Sequence, residues 1–152
     1  MLISIIQALL PYGKRLYVVG YEIDEEVVKA TQSNLSAMFP SVSVNIRNED
    51  FLIAVENGRV EKYDYVIANP PYIRQEAIKE QKEALKSKFE IFCSTADIYT
   101  YFFELGFNIL KNGGILSFIT SNKFFRASYG QKLREFMLKN AQIHSITDLN
   151  GL

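Results

Sequence analysis

Four consecutive residues, Asn69-Pro70-Pro71-Tyr72, close an apolar run that reads as a buried strand, Tyr63-Asp64-Tyr65-Val66-Ile67-Ala68. Proline has no N–H and restricts the residue before it, so this run neither continues the strand nor starts a helix. It forms a stiff corner, with the Asn69 side-chain oxygen and the Pro70 carbonyl directed into one space. Two acceptors held this way bind both hydrogens of an exocyclic amino group and free its nitrogen lone pair for attack. Tyr72 offers a flat face on which an extruded base can stack. The plainer alternative is a turn that only ends a strand, but an Asn-Pro-Pro-aromatic run directly after a buried strand is an uncommon way to make one.

Other polar residues fall at equivalent places. Glu22 ends the run Leu16-Tyr17-Val18-Val19-Gly20-Tyr21, the position from which an acidic residue grips ribose hydroxyls in nucleotide-binding α/β folds. The alternative for Glu22, helix capping, is better met by Asp24. Asp50 can accept a hydrogen bond from an adenine amino group while Phe51 packs on the ring, or simply cap a helix. From Lys123 to Lys139 the chain carries Lys123, Arg126, Lys132, Arg134 and Lys139 against Glu135 alone, with Phe124, Phe125 and Tyr129 interleaved. That pattern fits a rim touching phosphates, and equally a solvated helix with packing aromatics.

The elements that carry these residues alternate. Residues 2–10 read as a helix stopped by Pro11-Tyr12-Gly13, and residues 16–21 as a strand. A helix capped by Asp24 runs with Val28, Thr31, Leu35 and Met38 on its inner face, to Pro40. Residues 42–46 form a strand and 51–55 a helical turn, and after the 63–68 strand residues 73–88 are exposed helix or loop. A helix follows with Ile98, Phe102, Leu105 and Ile109 on one stripe, ended by Asn112-Gly113-Gly114. Residues 115–120 are then a strand, 130–139 a helix and 143–149 a fifth strand that contains His144. Strands alternating with helices indicate one α/β domain with a parallel sheet, whose ligands bind at the carboxyl ends of the strands.

Composition limits the possibilities. The 152 residues are 48% apolar and 22% charged, which is ordinary globular composition. With 17 basic and 17 acidic side chains the net charge is zero, so autonomous nucleic-acid binding is not expected and most of any grip on DNA comes from elsewhere in a larger protein. One cysteine, Cys93, and one histidine, His144, exclude an internal disulfide and argue against a zinc site, and no metal is expected. The apolar opening is short and lacks signal-peptide features, so a cytoplasmic location with no membrane contact is expected.

With these residues in view, the chain resembles the γ class of amino-methylating DNA methyltransferases, in particular the large methylases of type IIG restriction-modification and phage-defence systems. Ile67-Ala68-Asn69-Pro70-Pro71-Tyr72-Ile73-Arg74-Gln75-Glu76 looks like their catalytic segment, Tyr21-Glu22-Ile23-Asp24 their ribose-binding segment and Glu49-Asp50-Phe51-Leu52 their adenine-binding one. Residues 112–120 and Ser121-Asn122-Lys123-Phe124-Phe125 match a later strand and the loop beyond it. The resemblance implies methyl transfer from S-adenosylmethionine to N6 of a flipped adenine in DNA, with no covalent enzyme intermediate. It makes Asn69, Pro70, Pro71 and Tyr72 catalytic, and Glu22, Ile23, Asp50, Phe51 and Asn69 cofactor-binding. Cytosine-C5 chemistry needs an activated cysteine beside a proline, whereas Cys93 lies between Phe92 and Ser94.

Against the family's pattern, the glycine-rich cofactor loop, a later stacking aromatic and a target-recognition domain are missing. Residues 1–152 are therefore expected to be a partial catalytic domain, a Rossmann-like methyltransferase sheet lacking its first strand, that binds cofactor weakly alone. Such a gap predicts a rearranged sheet, marginal stability, or a homo-oligomer formed through exposed sheet edges. Two other readings stay open: a methyltransferase acting on protein glutamine or RNA guanine, which uses a similar corner, and a non-catalytic methylase-like binding module.

Overall fold

The computed structural model describes residues 1–13, 15–71 and 88–149. Tyr72 and nearly all of the segment expected as exposed helix or loop lie outside the described residues. The chain divides into two compact units, Met1–Val60 and Glu61–Leu152.

The first unit runs α1 (Leu2–Leu9), a 3-10 turn (Leu10–Tyr12), β1 (Tyr17–Glu22), α2 (Glu25–Met38), β2 (Ser43–Asn48) and α3 (Phe51–Glu56). Pro11 stands second in the 3-10 turn and Gly13 closes it at φ 67°, a left-handed conformation that glycine adopts without strain. β1 and β2 pair in parallel, Tyr17 opposite Ser43 through Glu22 opposite Asn48. Ile6 of α1, Leu35 and Phe39 of the α2 end, and Val42 form the buried core over these strands. Met38, expected on the inner face, is half exposed, and Phe39, which leaves the helix at φ −131°, is buried instead. The Gln32 amide lies along the outer edge of β2, donating to the Val44 carbonyl at 3.0 Å and accepting from the Ile46 N–H at 2.8 Å. It satisfies there the backbone groups that a further strand would otherwise bond.

The second unit contains β3 (Tyr63–Ala68), α4 (Tyr99–Asn108), β4 (Leu110–Phe118), two short 3-10 turns (Asn122–Phe125 and Ser128–Gly130) and α5 (Gln131–Asn140). β3 and β4 pair in parallel, with Ala68 opposite Phe118. While β3 advances from Tyr63 to Tyr65, β4 advances from Leu110 to Ile115, so the expected Asn112-Gly113-Gly114 turn is present as a bulge. Gly113 stands there at φ 75°, and a Cβ on Gly114 would meet the Asp64 carbonyl at 2.9 Å.

α4 is buried around most of its circumference rather than along one stripe, with Tyr99, Thr100, Tyr101, Phe103, Glu104, Leu105 and Gly106 all buried. Phe103 contacts Phe118 of β4 and Phe124, at ring separations of 4.7 and 5.7 Å. A Cβ on Gly106 would stand 2.9 Å from Leu116 and 3.0 Å from Phe118, so glycine lets this helix lie close on the strand.

Two expectations need correction. In place of one parallel sheet, the described residues form two two-stranded parallel sheets, β1-β2 and β3-β4. The expected fifth strand, 143–149, does not form: these residues pair with no strand among the described residues, and Ile143, Ile146, Leu149 and His144 are exposed. A strand is defined by a ladder partner, and apolar composition alone supplies none.

Candidate functional site

Within the first unit the residues singled out for nucleotide binding meet at the carboxyl ends of β1 and β2, where Glu22 stands opposite Asn48. The Glu22 carboxylate folds over the chain that follows: its Oε1 accepts from the N–H groups of Ile23 at 2.8 Å and Asp24 at 3.0 Å. Two backbone donors thus fix the carboxylate through one oxygen, and the other, with no partner among the described residues, can accept from a hydroxyl. The Asn48 amide donates to the carbonyls of Glu22 at 3.2 Å and Ile23 at 2.9 Å, holding the end of β1 to the end of β2. Asn48 was not singled out from the sequence, because nothing local distinguishes it from other strand-end asparagines.

Asp24 caps α2 as expected, accepting from the N–H groups of Glu26 and Val27. Asp50 caps α3 through Leu52 N–H at 2.8 Å, and its second carboxylate oxygen has no partner among the described residues. The two readings of Asp50 are therefore compatible. Phe51 meets Tyr21 edge to face at 5.4 Å, and Arg47 lies 5.6 Å over the Tyr21 ring. Ile23 is 72% exposed, an apolar side chain at the ligand edge of the strands. Acidic acceptors with spare oxygens beside exposed apolar surface suit the ribose and adenine of a nucleoside.

In the second unit β3 ends at Ala68, whose carbonyl accepts from Ile119 N–H at 3.0 Å. Asn69 follows immediately and is exposed, while Pro70 is buried and Pro71 exposed. The buried ring anchors the corner and leaves the amide at the surface. Since Ala68 stands opposite Phe118, the corner lies beside the segment leaving β4, Ile119-Thr120-Ser121-Asn122. Asn69, Pro70 and Pro71 thus leave β3 at the same end of the pair from which the chain runs on from β4 toward Ser121-Asn122-Lys123-Phe124-Phe125. Tyr72 lies outside the described residues. Glu22, Ile23, Asp50 and Phe51 belong to the first unit and the corner to the second.

Residues 121–130 form a closely fastened loop. Ser121 Oγ accepts from Lys123 N–H, and the Lys123 carbonyl accepts from the N–H groups of Arg126 at 3.1 Å and Ala127 at 2.9 Å. Tyr99, fully buried in α4, places its hydroxyl 3.1 Å from that of Tyr129 and also accepts from the Phe124 backbone. Burial above all, then the Tyr129 hydroxyl, pushes the Tyr99 phenol far above its ordinary range, so it stays neutral. A Cβ on Gly130 would lie 2.1 Å from the Phe124 carbonyl oxygen, so only glycine lets the two backbones pass. Cys93 is partly buried with its Sγ 3.4 Å from the Thr95 hydroxyl.

No helix among the described residues is long and apolar enough to cross a membrane. The sequence pattern of the Eco57I restriction-modification methylase family matches residues 16–152. Among curated proteins, the chain is 34% identical over 103 residues to the Type II methyltransferase M.BstVI of Geobacillus stearothermophilus, covering 66% of this chain and 18% of that protein. It is 28% identical over 142 residues to M.BanIII of Aneurinibacillus aneurinilyticus, covering 86% and 24%, and 36% identical over 107 residues to M.HincII of Haemophilus influenzae, covering 68% and 21%. The chain thus spans about a fifth to a quarter of the length of these relatives. The chain belongs to the Eco57I restriction-modification methylase family.

Proposed function

We propose that the protein containing this chain transfers a methyl group from S-adenosylmethionine to N6 of adenine in DNA, and that residues 1–152 supply the catalytic corner and part of the cofactor site. The observation that carries this reading is the exposed Asn69 amide on the buried Pro70 at the carboxyl end of a parallel strand. Family membership and relatives named as Type II methyltransferases support it.

S-adenosylmethionine supplies an electrophilic methyl group on a sulfonium, which needs alignment and water exclusion more than acid–base assistance. Asn69 Oδ1 and the Pro70 carbonyl accept the two amino hydrogens, drawing the nitrogen lone pair out of conjugation with the ring and toward the methyl. Pro71 stiffens the corner, and Tyr72 stacks on the flipped base. The nitrogen gains the methyl and loses one proton to water. Glu22 and Asp50 accept from ribose hydroxyls and the adenine amino group of the cofactor, with Ile23 and Phe51 against the base. The same reading takes the two parallel pairs as parts of a Rossmann-like methyltransferase sheet; each pair has a helix in its connection, α2 in one and α4 in the other, as such sheets are built.

The test is label transfer from methyl-tritiated cofactor by the full-length protein to DNA, RNA and protein. Label recovered as N6-methyladenine in DNA is expected; label in glutamine or guanine instead would transfer the assignment to those substrates. Glu22→Ala in the same protein is expected to weaken cofactor binding about tenfold by calorimetric titration, the equivalent of one charge-assisted hydrogen bond. Absence of cofactor binding by the unaltered full-length protein would leave a non-catalytic module as the reading.

A further inference from the structure

The cations between Lys123 and Lys139 divide into two sets. Arg134 donates Nη1 to the carbonyls of Phe124 at 2.5 Å and Ala127 at 3.2 Å, Lys132 donates to the Phe92 carbonyl at 2.9 Å, and Lys139 faces Glu90 at 3.5 Å. These three stitch α5 to its surroundings. Lys123 and Arg126 are exposed, and neither side chain has an ion pair or hydrogen bond among the described residues. Both lie on the loop that leaves β4, at the sheet end that carries Asn69.

We propose that Lys123 and Arg126 are phosphate contacts for the DNA strand presented to the Asn69 corner, and that the loop is built to hold them there. This rests on the DNA-methylating reading above and adds a binding surface to it. An ammonium and a guanidinium match phosphate oxygens in charge and hydrogen-bonding geometry, and such contacts set position without reading sequence. The chain is neutral overall, so attraction here depends on where free cations stand rather than on net charge. The backbone between them is already ordered. The Tyr99 hydroxyl, itself paired with that of Tyr129, and the Arg134 guanidinium bond the Phe124 backbone, Gly130 passes close against it, and the Phe124 ring is buried. A loop fixed before binding loses little further entropy on meeting its partner.

The test is binding of the full-length protein to duplex DNA, by fluorescence anisotropy across a salt series, alongside DNA methylation by the unaltered form. Lys123→Ala/Arg126→Ala is expected to weaken binding about tenfold or more at moderate salt and to reduce the slope of log K against log salt by about two, one per lost contact. Lys132→Ala, which removes a cation already engaged, is expected to leave the slope unchanged. If the unaltered protein methylates DNA but the double variant keeps the full slope, or if Lys132→Ala lowers it equally, the placement of these contacts is overturned while the methylase reading stands. If the unaltered protein neither binds nor methylates DNA, the underlying reading fails, and this one falls with it.

Discussion

Replacing Asn69 with alanine is expected to slow single-turnover methyl transfer by the full-length protein about 100- to 1,000-fold, the usual cost of deleting one pre-placed polar group that acts on the reacting atom. Rapid quench with labelled cofactor measures it, and duplex binding by anisotropy serves as the control. Asn69 is exposed and Pro70 after it is buried, so the substitution removes the acceptor while the proline that anchors the corner is retained. With only the Pro70 carbonyl remaining, one amino hydrogen loses its partner and the nitrogen stays conjugated with the ring. DNA affinity is expected to change little, because phosphate contacts supply most of it. Asn69→Asp, which keeps an acceptor oxygen but adds charge, is expected to fall between the two. Equal rates for Asn69→Ala and the unaltered protein at equal DNA binding would reduce the corner to scaffolding.

The second large effect concerns stability. Glu104 sits in α4 at 6% exposure, and its two carboxylate oxygens accept from the N–H groups of Glu90 and Ile91, each at 3.1 Å. Those donors belong to a segment with little regular structure of its own, so the carboxylate takes the role that a strand or helix partner would fill. Glu104→Ala removes two charge-assisted hydrogen bonds, leaves two N–H groups unpaired and opens space in the core. The expected loss is about 3 kcal/mol or more in urea unfolding, a large share of a typical domain's stability. Glu104→Gln keeps the volume and one acceptor but turns an amide donor toward an N–H, so it is expected to recover only part of the loss. An unfolding midpoint unmoved by Glu104→Ala would show that the segment is held by its apolar side chains, Phe89 and Ile91, alone.

Glu104 also shows where reading along the chain stops. A lone carboxylate inside the apolar run 98–109 is a visible irregularity, and it signals a buried partner; which partner is not visible, because the acceptor and its donors are 13 and 14 residues apart. The helix was legible through its spacing, yet the single stripe expected of it understated its burial. Asp24 caps its helix as the sequence predicts, and Asp50 takes the capping role that stood beside its expected place at the cofactor adenine; both are legible because a cap is a contact with the next turn. The strand predicted at 143–149 does not form among the described residues, because apolar residues supply no ladder partner by themselves.

Sequence alone determined much of what depends on near neighbours: most of the strand and helix runs, the cap at Asp24, the stiffness of Asn69-Pro70-Pro71 and the family to which the chain belongs. Backbone restriction, capping and hydrophobic period act over a few residues, and their types are printed in order along the chain. Only the tertiary structure decided which cations are engaged and which have no partner among the described residues, why Gly130 must lack a side chain, and that Tyr99 meets Tyr129 across 30 residues. Such choices depend on which distant groups share a volume. A lysine bonded to a carbonyl and a lysine in water are the same letter, and only the fold brings the carbonyl to one of them.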